Sequence, residues 1–307
     1  MGLMQRTMLT IREAPAIERD CRRTAIEGTE FGLFDARFGS QGLPNPSSRD
    51  VAEPLMQIFT RTLRCLVAAG FAALFVVAIA AAPARAEPRA IVELFTSQGC
   101  SACPPADKVL GELARDPSVI ALSLPVDYWD YLGWKDTLAD AQFTARQKAY
   151  SRMRRDRDMY TPQMIVNGTE QVNGRDRAAI ERAMGQTRRN GHVMMVPVSA
   201  TPSQRQLSIS LPDVANSAAK GEVWLFAISR AVPVTIERGE NRGKEVTYTN
   251  VVRGWLKVGD WNGTAGHWTV PLENILRDGV DAAVIYVQDG SRDNPGMMLG
   301  ATLTSLR

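Results

Sequence analysis

The stretch that decides the fold is Ala90-Ile-Val-Glu-Leu-Phe-Thr-Ser-Gln-Gly-Cys-Ser-Ala-Cys-Pro-Pro105. Its first six residues are rich in β-formers and predict a central buried strand. A turn follows, and a Cys-x-x-Cys pair then opens a segment with apolar residues at helical spacing. Val119–Val126 is the next predicted strand. A strand, a helix and a strand of this length predict a right-handed βαβ unit with parallel strands.

Further elements are predicted up to residue 190. The composition of Asp140–Arg154 favours a helix, and Arg175–Gln186 closes the region as another. Asn167-Gly168 between two apolar runs is a strong hairpin signal, because both positions tolerate positive φ. The resulting order β-α-β-α-β-β-α is that of the thioredoxin fold. Residues 87–190 are therefore predicted to form an α/β thioredoxin-like domain.

The pattern changes after Asn190-Gly191, where short alternating runs are separated by turn residues. Strands at this spacing, without helices, predict an all-β antiparallel sandwich-like domain over residues 191–307. The predicted strands are Val196–Ala200, Leu207–Leu211, Val223–Ile228, Val246–Val252, His267–Val270, Ala282–Gln288 and Met297–Leu303.

An uncharged apolar run from Cys65 to Ala82 indicates export. Basic residues precede it and Ala84-Arg-Ala86 follows it, which are the parts of a secretory signal peptide. Residues 56–86 are therefore predicted to be a signal peptide that is cleaved near Ala86, giving a periplasmic or secreted protein. An uncleaved membrane anchor is the alternative, because the run is long enough to span a bilayer.

The first 55 residues show no sustained hydrophobic period. They are predicted to be disordered or to result from an over-extended gene start, since Met56 would begin a signal peptide of ordinary form. A genuine cytoplasmic tail before a membrane anchor is the other interpretation.

Composition excludes several classes of function. The net charge is only +3, and the region after Ala86 has no dense run of basic residues, so nucleic acid is not an expected partner. The two histidines, His192 and His267, exclude a histidine-rich metal centre. No cofactor is expected. After cleavage the chain keeps two cysteines, Cys100 and Cys103, which favour a disulfide in an oxidising compartment.

The chemistry is expected at this cysteine pair. The start of a helix carries partial positive charge and unpaired N–H groups, which favour a thiolate. Cys100 is the predicted nucleophile and Cys103 the resolving thiol, exchanging disulfides with protein thiols or a redox partner protein. An inert disulfide and a soft-metal site are the alternatives, although tetrahedral zinc needs two further ligands that the sequence does not supply.

Three other segments are expected near the pair. The loop Asp127–Trp134 follows a parallel strand, so it should rise beside Cys100. Its aromatic residues are predicted to form an apolar wall for a substrate chain, or alternatively to pack as core. Those aromatic residues are Tyr128, Trp129 and Trp134.

Thr161-Pro162 precedes a strand that starts at the same edge. A cis bond there would leave the adjacent backbone free to pair with a bound peptide, whereas a trans proline would simply begin the strand. Glu93, a charged residue in an apolar strand, is expected either to exchange protons with Cys103 or to pair with a basic side chain.

Four motifs resemble the secreted thioredoxin-like family catalogued as domain of unknown function 1223. They are Val92–Asp107, Val126–Asp136, Tyr160–Gly168 and Arg238–Gly243. The resemblance implies a thioredoxin-like fold and bacterial export, and it supplies no activity. Compared with thioredoxins proper, the cysteine pair and Pro162 match, while Gly99 stands where those enzymes usually carry Trp.

Two functions follow as expectations. The first is an exported thiol-disulfide oxidoreductase that acts through Cys100 and Cys103. The second is a periplasmic binding or assembly factor with a structural disulfide, in which the β domain recognises the partner. The turn Arg238–Lys244 would then present charges, or would be a solvated hairpin tip. Solvent exposure of the Cys100 sulfur distinguishes the two functions, because exchange needs access.

Overall fold

The computed structural model describes residues 88–214 and 219–306 of the 307-residue chain. The predicted upstream segment and signal peptide lie outside these residues. Helices α1 to α3 are Pro104–Leu113, Ala141–Arg154 and Arg177–Arg188, and 3-10 turns are Asp130–Leu132 and Leu272–Asn274. Strands β1 to β11 are Ala90–Thr96, Val119–Pro125, Gln163–Val166, Glu170–Asn173, Ser199–Pro202, Gln206–Leu211, Gly221–Thr235, Glu245–Trp261, Gly266–Pro271, Ala282–Ser291 and Asn294–Ser305.

Eight strands form one mixed sheet in the order β11-β10-β7-β8-β2-β1-β3-β4. Strands β8, β2 and β1 run parallel, and the other neighbours in this sheet are antiparallel. The predicted fold class, an α/β thioredoxin-like domain followed by an all-β sandwich-like domain, is therefore wrong. Strands from both halves of the chain build a single sheet, because alternation and turn spacing specify strands without specifying their partners.

Both faces of the large sheet are covered. Helix α2 packs on one face, where Phe143 and Tyr150 join a core that extends from β1 to β11. Helices α1 and α3 cover the opposite face over β1 to β3, with Leu110 and Ile180 among their buried residues. The remaining strands, in the order β5-β6-β9, form an antiparallel sheet that covers β7 and β10 through residues such as Leu207. Strands β1 and β2 are buried throughout because they have layers on both sides.

Local signals were correct for many single elements. Asn167 and Gly168 have φ values of 50° and 79°, as expected for the predicted hairpin between β3 and β4. Each of the seven strands predicted after residue 190 overlaps an observed strand. Strands β7 and β8 are much longer than predicted, however, and carry register shifts along their shared edge.

Strand β8 joins the two halves of the sheet. It pairs with β2 at Ser123 and Val251. Beside this pair, Asn250 has a φ of 48° and its side-chain amide donates a 2.9 Å hydrogen bond to the carbonyl oxygen of Ala121. The β7–β8 hairpin extends beyond this junction, and its connecting turn reaches the start of α1. None of the helices within residues 88–214 and 219–306 is long and apolar enough to cross a membrane.

Candidate functional site

The cysteine pair lies in the turn between β1 and α1. A disulfide joins Cys100 and Cys103, whose Cα atoms are 5.4 Å apart. Cys103 is the N-cap residue of α1, and Pro104 and Pro105 occupy the first two helical positions. Proline has no backbone N–H, and the N–H of Ala106 donates to the Cys103 carbonyl oxygen at 2.8 Å. Stabilisation of a thiolate here therefore depends on the helix dipole more than on unpaired N–H groups.

Both cysteines are shielded from solvent. The exposed fraction is 3% for Cys100 and 0% for Cys103, whereas Ser101 between them is exposed. Disulfide exchange requires an accessible Cys100, whereas a structural disulfide is expected to be buried. In this conformation the burial agrees with the second expectation.

The aromatic loop packs around the cysteine turn. Trp129 lies so close to Gly99 that a Cβ atom on this glycine would be 3.0 Å from the Trp129 Cβ. The indole N–H of Trp134 donates a 2.7 Å hydrogen bond to the side-chain oxygen of Gln98. Tyr128 packs against the core on the α2 side, with its ring centroid 6.1 Å from that of Trp129. All three predicted wall residues are half-buried, so they support the turn as well as bordering it.

The Thr161–Pro162 peptide bond is cis and lies beside this loop. The hydroxyl oxygen of Thr161 accepts a 2.8 Å hydrogen bond from the indole N–H of Trp129. The carbonyl oxygen of Pro162 accepts one from the N–H of Gly174 at 3.0 Å. This carbonyl is thus paired within the chain, and the expectation that the backbone adjacent to Pro162 pairs with a bound peptide stays a prediction.

Residues 236–244, the turn between β7 and β8, pack against the cysteine turn, and we call them the cover loop. Asn241 is 1% exposed, and its side-chain amide donates to the carbonyl oxygens of Gln98 and Cys100, each at 2.8 Å. The ammonium group of Lys244 donates to the Asn241 side-chain oxygen, also at 2.8 Å, which fixes the orientation of the amide. The cover loop is therefore attached directly to the backbone that carries Cys100.

The charged residues of the cover loop face solvent, as expected for a hairpin tip. Gly239 has a φ of 77° and approaches Trp134, so the loop also contacts the aromatic segment. The cover loop is thus a solvated hairpin tip as regards its charged side chains, whereas the side chain of Asn241 is buried. The exposed charged residues are Glu237, Arg238, Glu240, Arg242 and Lys244.

A buried carboxyl group lies one helical turn after Cys103. Asp107 is 4% exposed, and its Oδ1 accepts a 2.8 Å hydrogen bond from the hydroxyl of Thr96. Its Oδ2 is buried and has no hydrogen-bond partner among the described residues. Burial raises the pKa of Asp107 to about 8, and the neighbouring carboxyl group of Asp136 contributes in the same direction. The hydrogen bond from Thr96 opposes this increase.

Glu93, the acid proposed from the sequence, points to the other face of the sheet. Its side chain is buried with α2, whereas its strand neighbours Val92 and Leu94 face α1. Arg146 binds both carboxylate oxygens, through Nε at 2.7 Å and Nη2 at 3.1 Å, and the Tyr150 hydroxyl also donates to it. The guanidinium lies over the Tyr150 ring at 4.9 Å. Glu93 is therefore paired with a basic residue, as one of the two expectations stated. It lies on the wrong face of the sheet for the other, proton exchange with Cys103.

Sequence reasoning missed two residues of the site. Asp107 occupies the apolar face of α1 together with Ala106 and Leu110, and a charged residue at such a position is a recognisable signal. Asn241 lies inside a motif that was identified for its charges, and nothing local indicates which of its residues turns inward. Tertiary contact alone distinguishes it.

Comparisons with known proteins agree with the motif resemblance. The family model described as "Protein of unknown function (DUF1223)" matches residues 91–288. A search of curated proteins finds no match. The solved structure of HBP35 of Porphyromonas gingivalis is 12% identical, covers 72% of this chain and 76% of its own, and has a TM-score of 0.47.

The crystal structure of protein AGR_C_4864 from Agrobacterium tumefaciens is 30% identical. The match covers 73% of this chain and 97% of that one, with a TM-score of 0.66. The family match extends over well more than half of the chain and contains the cysteine turn, the aromatic loop and the cover loop. The chain therefore belongs to the DUF1223 family of proteins of unknown function.

Proposed function

We propose that this protein is an exported thiol-disulfide exchange protein that acts on protein thiols through Cys100 and Cys103. One observation carries the proposal: a disulfide closes the turn directly before a helix, with the second cysteine as the N-cap residue. The dipole of a helix favours a thiolate at the helix start. When this disulfide opens, the resulting thiolate therefore lies near the positive end of the dipole, which stabilises it. The export component rests on the apolar run and the Ala84-Arg-Ala86 cleavage pattern.

The burial of the cysteines sets a condition on this function. With Cys100 at 3% exposure, an external thiol reaches its sulfur only after a neighbouring segment has moved, and we propose that this segment is the cover loop. The two hydrogen bonds of Asn241 hold the cover loop to the cysteine turn, whereas the charged residues of the loop are exposed. Tyr131, which is 77% exposed in the neighbouring 3-10 turn, offers an apolar contact for an arriving chain.

The same burial favours a second candidate function. In a binding or assembly factor, the disulfide would fix the turn and the cover loop would remain closed. The exposure of 3% is the specific observation in its favour. The two candidates differ in the reactivity of the disulfide, which is directly measurable.

Trapping of a mixed disulfide tests the proposal. In Cys103→Ser the Cys100 thiolate attacks a substrate disulfide and releases one substrate thiol. Because no resolving thiol is present, the mixed disulfide on Cys100 should persist until reductant releases it. Cys100→Ser should retain little, because its remaining thiol is fully buried. The wild-type disulfide should also react with a small dithiol faster than the disulfide of a peptide containing residues 97–106. Equal rates, together with no trapped species, would support the structural disulfide.

A further inference from the structure

Asp107 lies on the buried side of the cysteine pair. Cys103 already has helical φ and ψ values, −80° and −36°, so Asp107 is four residues later on the same helical face. Side chains at this spacing are neighbours, with Cβ atoms roughly 5–6 Å apart. Thr96, at the end of β1, holds one oxygen of the carboxyl group and leaves the other without a partner among the described residues.

Opening the disulfide requires a proton donor at this position. When an external thiolate attacks Cys100, Cys103 leaves with a negative charge at a site that solvent does not reach. A buried unpaired anion is costly, so a proton donor beside the leaving sulfur accelerates the step. We propose that Asp107 protonates Cys103 as the disulfide opens and takes the proton back as it closes. This inference rests on the proposed exchange function.

The reaction balances for a dithiol substrate. The first substrate thiolate forms a bond to Cys100 Sγ, the Cys100–Cys103 bond breaks, and the Asp107 proton passes to Cys103. The second substrate thiolate then attacks the substrate's sulfur atom in the mixed disulfide and releases Cys100, which takes a proton from solvent. The substrate dithiol becomes a disulfide, the protein disulfide becomes a dithiol, and solvent accepts both substrate protons and reprotonates Asp107.

The surroundings of Asp107 keep it in the acid form. Asp136 faces it from the segment after the aromatic loop, and Tyr248 faces both carboxyl groups from β8. Burial, with a smaller contribution from Asp136, raises the pKa of Asp107 to about 8, so a proton is available at neutral pH. A groove of about 450 Å³ borders the residue and gives a path for proton exchange with solvent. Its charged lining residues are Lys108, Lys244 and Glu245.

The pH dependence of disulfide reduction tests the assignment. Reduction by dithiothreitol is measured from pH 6 to 9.5 and expressed per reductant thiolate. In the wild-type protein this rate should be constant below pH 8 and fall above it. Asp107→Asn should be at least tenfold slower at pH 7 and show no break near pH 8. Glu112→Gln, on the exposed side of α1, is the matching acid-to-amide change and should follow the wild type.

A second variant keeps the test decisive if Asp107→Asn does not fold. Thr96→Val removes the hydrogen bond that lowers the Asp107 pKa, so the break should move to higher pH. A folded Asp107→Asn protein with the wild-type profile, or a Thr96→Val protein with an unmoved break, overturns the inference and leaves exchange intact. A wild-type disulfide no faster than the peptide disulfide overturns the proposed function instead.

Discussion

The side-chain nitrogen of Asn241 lies 2.8 Å from the carbonyl oxygen of Cys100, although 141 residues separate them in the chain. The same nitrogen donates to Gln98 at an equal distance. The cysteine turn is thus bound by a residue from the distant β7–β8 hairpin. On the proposed function, we expect this contact to control access to the disulfide.

Asn241→Ala should therefore open the cover loop. The change removes the Asn241 hydrogen bonds to two carbonyl oxygens. The Cys100 carbonyl keeps its bond from the Cys103 N–H, so the main cost is the loss at Gln98, about 1–3 kcal/mol. Because roughly 1.4 kcal/mol corresponds to a factor of ten, reduction of the disulfide by dithiothreitol should become about tenfold faster. Glu240→Ala, at the exposed neighbouring position, is the control and should react at the wild-type rate. An unchanged rate in Asn241→Ala would show that the cover loop does not limit access.

Stability should decrease with pH because of Asp107. Its folded pKa of about 8 lies above the unfolded value of 3.8, so between these values the folded state holds a proton that the unfolded state has lost. The stabilisation is fully present below pH 3.8 and is lost as pH rises through 8, by up to about 1.4 kcal/mol per pH unit. The pKa of Asp136 is also raised by burial and acts in the same direction.

Urea unfolding of the oxidised protein between pH 5 and 9 measures this effect. Asp107→Asn has no titrating group at the position, so its curve of unfolding free energy against pH should be flatter than that of the wild type. Parallel curves for the two proteins would contradict a protonated Asp107.

Breaking the buried ion pair should be costly. Arg146→Met leaves the Glu93 carboxylate buried without its cation, and removal of one partner of such a pair typically costs about 3–5 kcal/mol. The double variant with Glu93→Gln should regain part of this loss. Arg177→Met breaks an exposed pair with Glu112 and should cost less than about 1 kcal/mol. Chemical unfolding of the four proteins at constant pH provides the comparison.

Export is tested on the protein from its native host. N-terminal sequencing of the mature product should begin near Glu87, after the Ala84-Arg-Ala86 pattern. Recovery of a membrane-bound product that retains residues upstream of Met56 would contradict both the cleavage and the proposed start.

Features of this structure that depend on neighbouring residues can be predicted from the sequence, whereas features that depend on contacts between distant residues cannot. The β1–α1–β2 unit and the Asn167-Gly168 hairpin follow from local periodicity and turn chemistry, and both are present. The contact of Val251 with Ser123, which merges the two halves of the sheet, has no local signature. The same holds for the site: the cysteine pair was recognised from its spacing, whereas Asn241 reaches it through tertiary structure alone.

The acid was misplaced for a related reason. A carboxylate inside an apolar strand made Glu93 the candidate acid. Because side chains alternate along a strand, Glu93 faces α2, where Nε of Arg146 lies 2.7 Å from its Oε1. Asp107 carries an equally unusual charge on an apolar helical face, and the helix begins at the cysteines themselves. The residue closer to the chemistry was the one on the same element as Cys103.

The separation between the cysteine pair and its cover has a consequence for biogenesis. Cys100 and Cys103 are three residues apart, so on the proposed export route they could be oxidised as soon as their turn enters the new compartment. The β7–β8 hairpin follows more than a hundred residues later, and contacts of such long range form slowly. On the proposed export route, the chain would therefore pass through an interval in which its disulfide is open to the thiols and oxidants of the new compartment. Completion of the C-terminal half ends that interval.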